Sequence, residues 1–538
     1  MKRRFDFIIV GAGSAGCVLA NRLSAAPENR VLLIEAGPPD WNPVFRVPIM
    51  AGRLFQGRYC NWSYETEPEP NLKDRRIPWP RGRVLGGSSS INGMVYARGH
   101  RLDYDNWAQL GLRSWSYDRV LPEFRKSESH HRGGDAFHGA DGPLPVGPAM
   151  SSNPLFDAFV QAGQEAGYPY NADFNGAEQE GFGRYDYNIL HGQRWSSARS
   201  FLDPARPRPN LTILTSAQVV RIRMDNGRAV GVTVRKGGRD LDLDAGREVI
   251  LSSGTIGSAT GLMLSGIGDA DRLTALGIPV TADLKGVGRN LQDHLHVTVV
   301  HRSTTPDETW DHLRFDRAAL GFAQTALFGK GPFSRFPHES GAFVKVDPAA
   351  ASPDAQIHFF AGGAGRVRHP FGGKGAGPMG DGHVFYGSVC QLRPESVGEL
   401  TLRSADPFAP PVIRANYLSS EVDKRVMRGG VRLMREVFAQ AAFAPHRGPE
   451  VIPGEDVSTD AEIDDYVAGA ASTIFHPVGT CRMGLGEDAV VDETLKVRGV
   501  EGLRVADASI MPRIVSSNTH APTVMIAERA ASLILGAA

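Results

Sequence analysis

Two rhythms of apolar and polar positions run through this chain, and its first fifty residues show both. Phe5 to Val10 is a short apolar run read as a buried strand, Ala15 to Ser24 has helical spacing, and Val31 to Ile34 is a second buried strand ending at Glu35. Further on, "LTILTSAQVVRIRM" (211–224) and "REVILSSG" (247–254) read as strands. "DAQIHFFAG" (354–362) and "HVFYGSVCQLRP" (383–394) carry the alternating apolar pattern of sheet strands. Behind Pro522, apolar residues at 524, 526, 527, 530 and 534 predict a C-terminal helix. At 538 residues the chain exceeds one hydrophobic core, so two domains are expected. No internal repeat or heptad pattern appears.

The turn between the first strand and helix decides more than the strands do. Gly11, Gly13 and Gly16 stand in GxGxxG spacing, followed by an acid, Glu35, at the end of the next strand. Gly11 permits the tight turn, Gly13 lets backbone approach a pyrophosphate, and Gly16 packs helix on strand, while the helix N-terminus faces the phosphates. Glu35 would accept hydrogen bonds from ribose hydroxyls, which disfavours a 2′-phosphate. A second GxGxxG match, "GAGPMG" (375–380), has no apolar strand before it and carries Pro378, so it reads as a loop without a cofactor role. The N-terminal match predicts dinucleotide binding, with FAD and NAD both open at this point.

"PRGRVLGGSSSINGMVYARG" (80–99) narrows the choice. Small residues cluster beside the apolar Val84, Leu85, Ile91 and Met94, with Asn92 among them, in a pattern that can lay backbone N–H groups along a phosphate or a flat ring. A second cradle after a complete βαβ unit fits a cofactor too large for one half of a dinucleotide fold.

On these segments the chain resembles the glucose-methanol-choline (GMC) family of flavin oxidoreductases. The other matching stretches are "DYDNWAQLG" (103–111), "GVGRNLQDH" (286–294), "HPVGTCRMG" (476–484), "GLRVADASIMP" (502–512) and "APTVMIAERAA" (521–531). "YNADFNGAEQEG" (170–181) and "LTLRSADPFAPPVIRANYL" (400–418) resemble the family's bacterial alcohol, choline and sorbose dehydrogenases. The segment "GTIGSATGLMLSGIG" (254–268) departs from the family's second signature at Ala259 and Gly261, where different local helix packing is expected. Some members attach FAD through a histidine just before the asparagine of the glycine–serine cluster; Ile91 stands there, so FAD is expected to be noncovalent.

The resemblance implies an α/β fold: a doubly wound, Rossmann-like FAD domain interleaved with a substrate domain built on an antiparallel sheet with helices. Residues 1–300 would form the FAD half, with substrate-domain segments interleaved. Residues 301–470 would form the substrate domain, and 471–538 would return to the FAD domain. The expected cofactor residues are Gly11, Gly13, Ser14, Ala15, Gly16, Glu35 and Ala36 at the first turn, with Val219 against the adenine. Arg83, Gly86, Gly87, Ser90, Asn92, Gly93, Met94 and Val95 belong to the second cradle, and Asp507, Ala508, Pro522 and Thr523 to the C-terminal segment. The glycine-rich 362–382 stretch reads as a lid over the substrate entrance or as a disordered loop.

"FHPVGTCRMG" (475–484) holds His476 rigidly before Pro477. A metal site fails on ligand count, since Cys481 alone is near, so no metal is expected. A packed core histidine is the remaining structural reading. By resemblance, His476 and His520 face the flavin's reactive edge together, His476 as base and His520 as partner; from sequence alone their roles are interchangeable. Alcohol oxidation removes a proton from oxygen and a hydride from carbon, so a neutral imidazole beside a flavin suits it. The expected reaction is FAD-dependent oxidation of an alcohol to an aldehyde or ketone, with a quinone-type acceptor or O2 receiving the electrons. A cyanohydrin lyase of the same fold and a non-catalytic flavin protein are the alternatives.

Composition limits the partners. Hydrophobic residues at 41% and charged residues at 22% are ordinary for a soluble globular protein. Lys plus Arg and Asp plus Glu are both 59, which offers no electrostatic reason for nucleic acid or an anionic membrane as partner. The basic runs at 74–83 and 366–370 read as solvated faces. Cys17, Cys60, Cys390 and Cys481 are widely spaced, as in a reducing compartment, and the start reads as a first strand rather than a leader. A cytoplasmic location, no membrane span, and a monomer or homodimer are the expectations.

Overall fold

The computed structural model describes residues 4–306, 312, 315–362 and 383–536, organised around two seven-stranded sheets. In the first, Arg4–Val10 runs parallel to Val31–Ile34, which runs parallel to Leu211–Leu214. On its other side Arg4–Val10 pairs in parallel with the C-terminal part of Arg239–Leu251, and that strand takes Leu503–Val505 from the far end of the chain. All four residues of Val31–Ile34 are buried, because helices cover both faces of a parallel sheet. Gln218–Asp225 and Arg228–Lys236 extend the sheet as antiparallel hairpins.

Helix Ser14–Leu23 opens from the glycine turn, one residue earlier at each end than the periodicity predicts. The C-terminal helix His520–Leu535 packs beside it. Arg22 donates to both oxygens of the fully buried Glu528, tying the first helix to the last. The close helix–strand approach depends on Gly16, where a Cβ would lie 1.9 Å from the Gly11 carbonyl oxygen.

The second sheet is antiparallel, ordered Arg447–Ile452, Leu295–Ser303, Val384–Gln391, Ala355–Phe360, Ser340–Val344 and Gly181–Arg184, with Ser472–Thr473 pairing the start of Leu295–Ser303. The alternation read from sequence is present in chemistry but not in exposure. All eight positions of Val384–Gln391 are buried. Leu295, Val297, Ile357, Phe359, Phe385 and Val389 enter the core cluster, alongside residues of helices Pro154–Glu165 and Glu421–Ala439. The alternate residues His296, Thr298, His358, Phe360, Tyr386 and Ser388 line an internal cavity instead. The stretch 363–382, with the second GxGxxG match and the 366–370 run, lies outside the described residues.

The glycines give a paired expectation for stability. Gly16→Ala drives a methyl into backbone and should cost about 1–3 kcal/mol or more. Gly261→Ala, in helix Gly254–Leu264 with no atom within 4 Å of the new Cβ, should gain up to about 1 kcal/mol from helix propensity. Urea unfolding of the two variants beside the parent protein checks both signs.

Candidate active site

Between the two sheets lies a cavity of about 1880 Å³, well above the roughly 300–1,000 Å³ of ordinary small-molecule pockets. Gly11, Gly13, Ser14, Ala15, Glu35 and Ala36 line it at the first turn, and Arg83, Gly87, Asn92, Gly93, Met94 and Val95 at the second glycine cluster. Val219, Asp507, Ala508, Thr523, His476 and His520 complete the residues expected from sequence that border it. Gly16, Gly86, Ser90 and Pro522 do not border it; they shape the walls. Gly16 sits behind the turn, Gly86 takes φ +85° and donates its N–H to the Ala12 carbonyl at 2.8 Å, and Ser90 Oγ donates to the Leu85 carbonyl. Pro522 lies in the first turn of the terminal helix.

These walls suit a dinucleotide. The two glycine segments meet so closely that a Cβ on Gly87 would lie 2.7 Å from Gly13 Cα, which leaves bare backbone facing the cavity beside a helix N-terminus. Glu35 is braced by the Ala12 and Gly37 N–H groups at 3.0 and 2.8 Å, one on each carboxylate oxygen. Its second lone pairs remain for ribose hydroxyls, and burial raises its pKa to about 7. Asp507 turns more toward the scaffold than its cofactor role predicts. Its carboxylate accepts from Gly254 N, Ser258 Oγ and Ser509 N, holding the start of helix Gly254–Leu264 at the cavity edge.

His476 reaches the cavity from a strained turn. Phe475, just before it, has φ +71°, a conformation costly for a bulky residue. The turn is held by His476 N–H donating to Asp293 Oδ1 at 2.8 Å, Phe475 N–H donating to Thr473 Oγ1, and Arg81 donating to the Phe475 carbonyl. The ring has two partners: Nδ1 lies 3.1 Å from His294 Nδ1, and Nε2 lies 3.3 Å from Asn518 Nδ2. Burial above all, then neighbouring His294, His358 and Arg81, hold its pKa well below the ordinary histidine value. His520 borders the same cavity but does not hydrogen-bond His476. Its Nδ1 pairs with Ser14 Oγ at 3.0 Å, its Nε2 has no partner among the described residues, and burial lowers its pKa to about 4. The direct ring partners of His476 were therefore absent from the sequence reading. Asp293 and His294 end the quoted "GVGRNLQDH" segment, and Asn518 stands two residues before His520; those positions were the available signal.

One group among the described residues has metal-ligand proximity: His130, His131 and Asp186. It is wired as hydrogen bonds. Arg132 N–H donates to His130 Nδ1, so the His130 proton sits on Nε2 and meets Asp186, whose carboxylate also takes the Arg132 guanidinium.

Comparison with known proteins decides the family. The N-terminal GMC oxidoreductase model matches residues 5–296 and the C-terminal one residues 394–527. The chain belongs to the GMC oxidoreductases. It is 45% identical over 534 residues to an oxygen-dependent choline dehydrogenase of Sinorhizobium medicae, covering 99% of this chain and 95% of that protein. It is also 45% identical over 548 residues to the mitochondrial choline dehydrogenase of Mus musculus, covering 99% and 90%. Among solved structures, pyridoxine 4-oxidase from Mesorbium loti superposes with TM-score 0.87 at 33% identity, covering 98% of each chain. A formate oxidase from Aspergillus oryzae RIB40 gives 0.90 at 29% identity, covering 100% and 99%. As a GMC oxidoreductase this protein is an FAD-dependent alcohol oxidoreductase, and the lyase alternative gains no support from these relatives. No helix among the described residues is long and apolar enough to cross a membrane.

Ile91 borders the cavity within an apolar cluster of Phe45, Leu54 and Val84 and offers no nucleophile for a flavin bond. Acid precipitation of the yellow protein should therefore release the flavin into the supernatant, read by its absorbance; colour retained in the pellet would contradict the noncovalent assignment.

Proposed function

We propose that His476 is the base of this oxidoreductase and that its substrate is a small alcohol with a bulky, weakly hydrated head, of the choline type. The observation that carries this is a buried imidazole on the cavity wall whose Nε2 has a long amide contact with Asn518 at 3.3 Å. The residues at the two glycine clusters would hold FAD, with Glu35 at a ribose and Val219 at the adenine. Bound there, FAD supplies the acceptor for the hydride that leaves the alcohol carbon. His476 Nε2 takes the hydroxyl proton as the carbonyl forms, and the proton then leaves to solvent. His520, with its unpartnered Nε2, is suited to hold the substrate oxygen in line. The N-terminus of helix His520–Leu535 adds partial positive charge at this end of the cavity.

The substrate side is aromatic. Phe336, Phe360, Tyr386 and Phe475 line it, with Phe360 stacked on Tyr386 at 4.4 Å and on His338 at 4.9 Å. Among the described lining residues only Glu35 and Asp507 are acidic, and both are engaged elsewhere, so ring faces would receive a cationic head. The electron acceptor is a quinone-type molecule or O2. The cysteines, all free and none fully exposed, accord with a reducing, cytoplasmic setting.

Three measurements test this reading. His476→Ala should retain FAD while flavin reduction by alcohol under anaerobic conditions slows by a factor on the order of 10² to 10⁴; near-parental rates would remove His476 from the mechanism. The depressed pKa keeps the active, unprotonated imidazole present below the ordinary histidine range. Thus kcat/KM should hold steady as pH falls from about 8 to about 6.5, where an unperturbed base would already be half protonated. A panel of choline against its uncharged carbon isostere reads the head-group preference.

A further inference from the structure

The "GVGRNLQDH" segment is a family stretch to which the proposed reaction gives no task, and it touches the proposed base directly. Its last residue, His294, is fully buried and does not reach the cavity. His294 Nε2 lies 3.1 Å from the Leu392 carbonyl oxygen, which can only accept, so this nitrogen carries the His294 proton. A neutral imidazole has one N–H, which leaves His294 Nδ1 as an acceptor. Facing it at 3.1 Å is His476 Nδ1, and two bare lone pairs at that separation would repel, so His476 Nδ1 carries the proton and donates. The remaining nitrogen of His476, Nε2, is then bare. The same order closes at the other end: Gln356 Nε2 donates to Asn518 Oδ1 at 3.1 Å, which turns the Asn518 amide nitrogen toward His476 Nε2.

Resting on the assignment of His476 as base, we infer that His294 is a positioning residue that fixes the His476 tautomer, so that its basic nitrogen is the one facing the substrate. The direction of the bond between the two rings follows from the fixed acceptor at Leu392. Burial keeps His294 neutral, with its pKa lowered to about 3, so the relay does not reverse in the working range. When Nε2 gains the alcohol proton, Nδ1–H remains on His294 and the bond becomes charge-assisted. A neutral partner supports the imidazolium without making His476 a strong base, unlike a carboxylate in the same position.

The test uses the FAD-loaded enzyme labelled with 15N-histidine, with the His476 signals assigned by their loss in His476→Gln. The expected result is a His476 protonated at Nδ1 and bare at Nε2. In His294→Leu the Nε2–H form should appear, and flavin reduction should slow by a factor on the order of 10 to 10², less than removing the base costs. His294→Gln, whose amide oxygen accepts from His476 and whose NH2 donates to Leu392, should restore the parental tautomer and most of the rate. A proton on Nε2 in the parental enzyme overturns the inference, and that measurement needs no variant to fold. An unchanged tautomer in His294→Leu overturns it as well. Because the tautomer is read without turnover, failure of His476 as the base would show separately, as normal reduction by His476→Ala.

Discussion

Desolvation acts on six imidazoles at once around this cavity, and the chemistry follows from it. His294, His296, His338, His358, His476 and His520 all have pKa values lowered, with burial the first cause in each case. A neutral imidazole holds one proton on one of two nitrogens, so hydrogen bonds rather than pH decide which nitrogen is basic. Were these rings in water, protonation near pH 6.5 would scramble that arrangement. In the proposed relay the Leu392 carbonyl sets the proton position of His294, and through it that of His476.

The two-sheet architecture buries these rings and brings the partners together. Leu295–Ser303 belongs to the antiparallel sheet, yet the residues just before it, Asp293 and His294, hold the turn that carries His476. The C-terminal chain passes that turn, contributes Leu503–Val505 to the parallel sheet and ends in the helix locked to the first one through Arg22 and Glu528. His476 is thus held through Asp293 and His294 at the start of one antiparallel strand and through Asn518 ahead of the terminal helix.

What the sequence made legible was local. The first strand, turn, helix and strand declare themselves because each depends on neighbours within a few residues, and Gly16 meets Gly11 across one turn. The alternation of the 355–360 and 384–391 strands was also readable, but its meaning was not. Period two says which residues share a face; it cannot say that the second face borders an internal cavity rather than water. His476 and His520 were found through family resemblance, whereas the ring partners of His476 lie 182 and 42 positions away. Contacts at such separations are set by sheet packing and leave no periodic trace. Glu35 and Asp507 were chosen for a ligand, and much of their hydrogen bonding goes to holding glycine-rich backbone in place.

The contact between Asn518 and His476 bears on how a substrate could enter. At 3.3 Å it is longer than an ordinary N–H donor bond, and it occupies the lone pair that a substrate hydroxyl needs. Gln356 grips Asn518 through its oxygen, and Gln356 also donates to Tyr185, whose hydroxyl is fixed on the Ile357 carbonyl. The amide therefore cannot rotate to discard its donor without breaking that chain. An arriving alcohol has to exchange one weak bond to Nε2 for a stronger O–H donor bond, while the Asn518 N–H, kept in place by Gln356, meets the alcohol oxygen. Such an exchange leaves each polar group partnered before and after. It lets the buried, neutral His476 ring rest without the cost of an unsatisfied nitrogen.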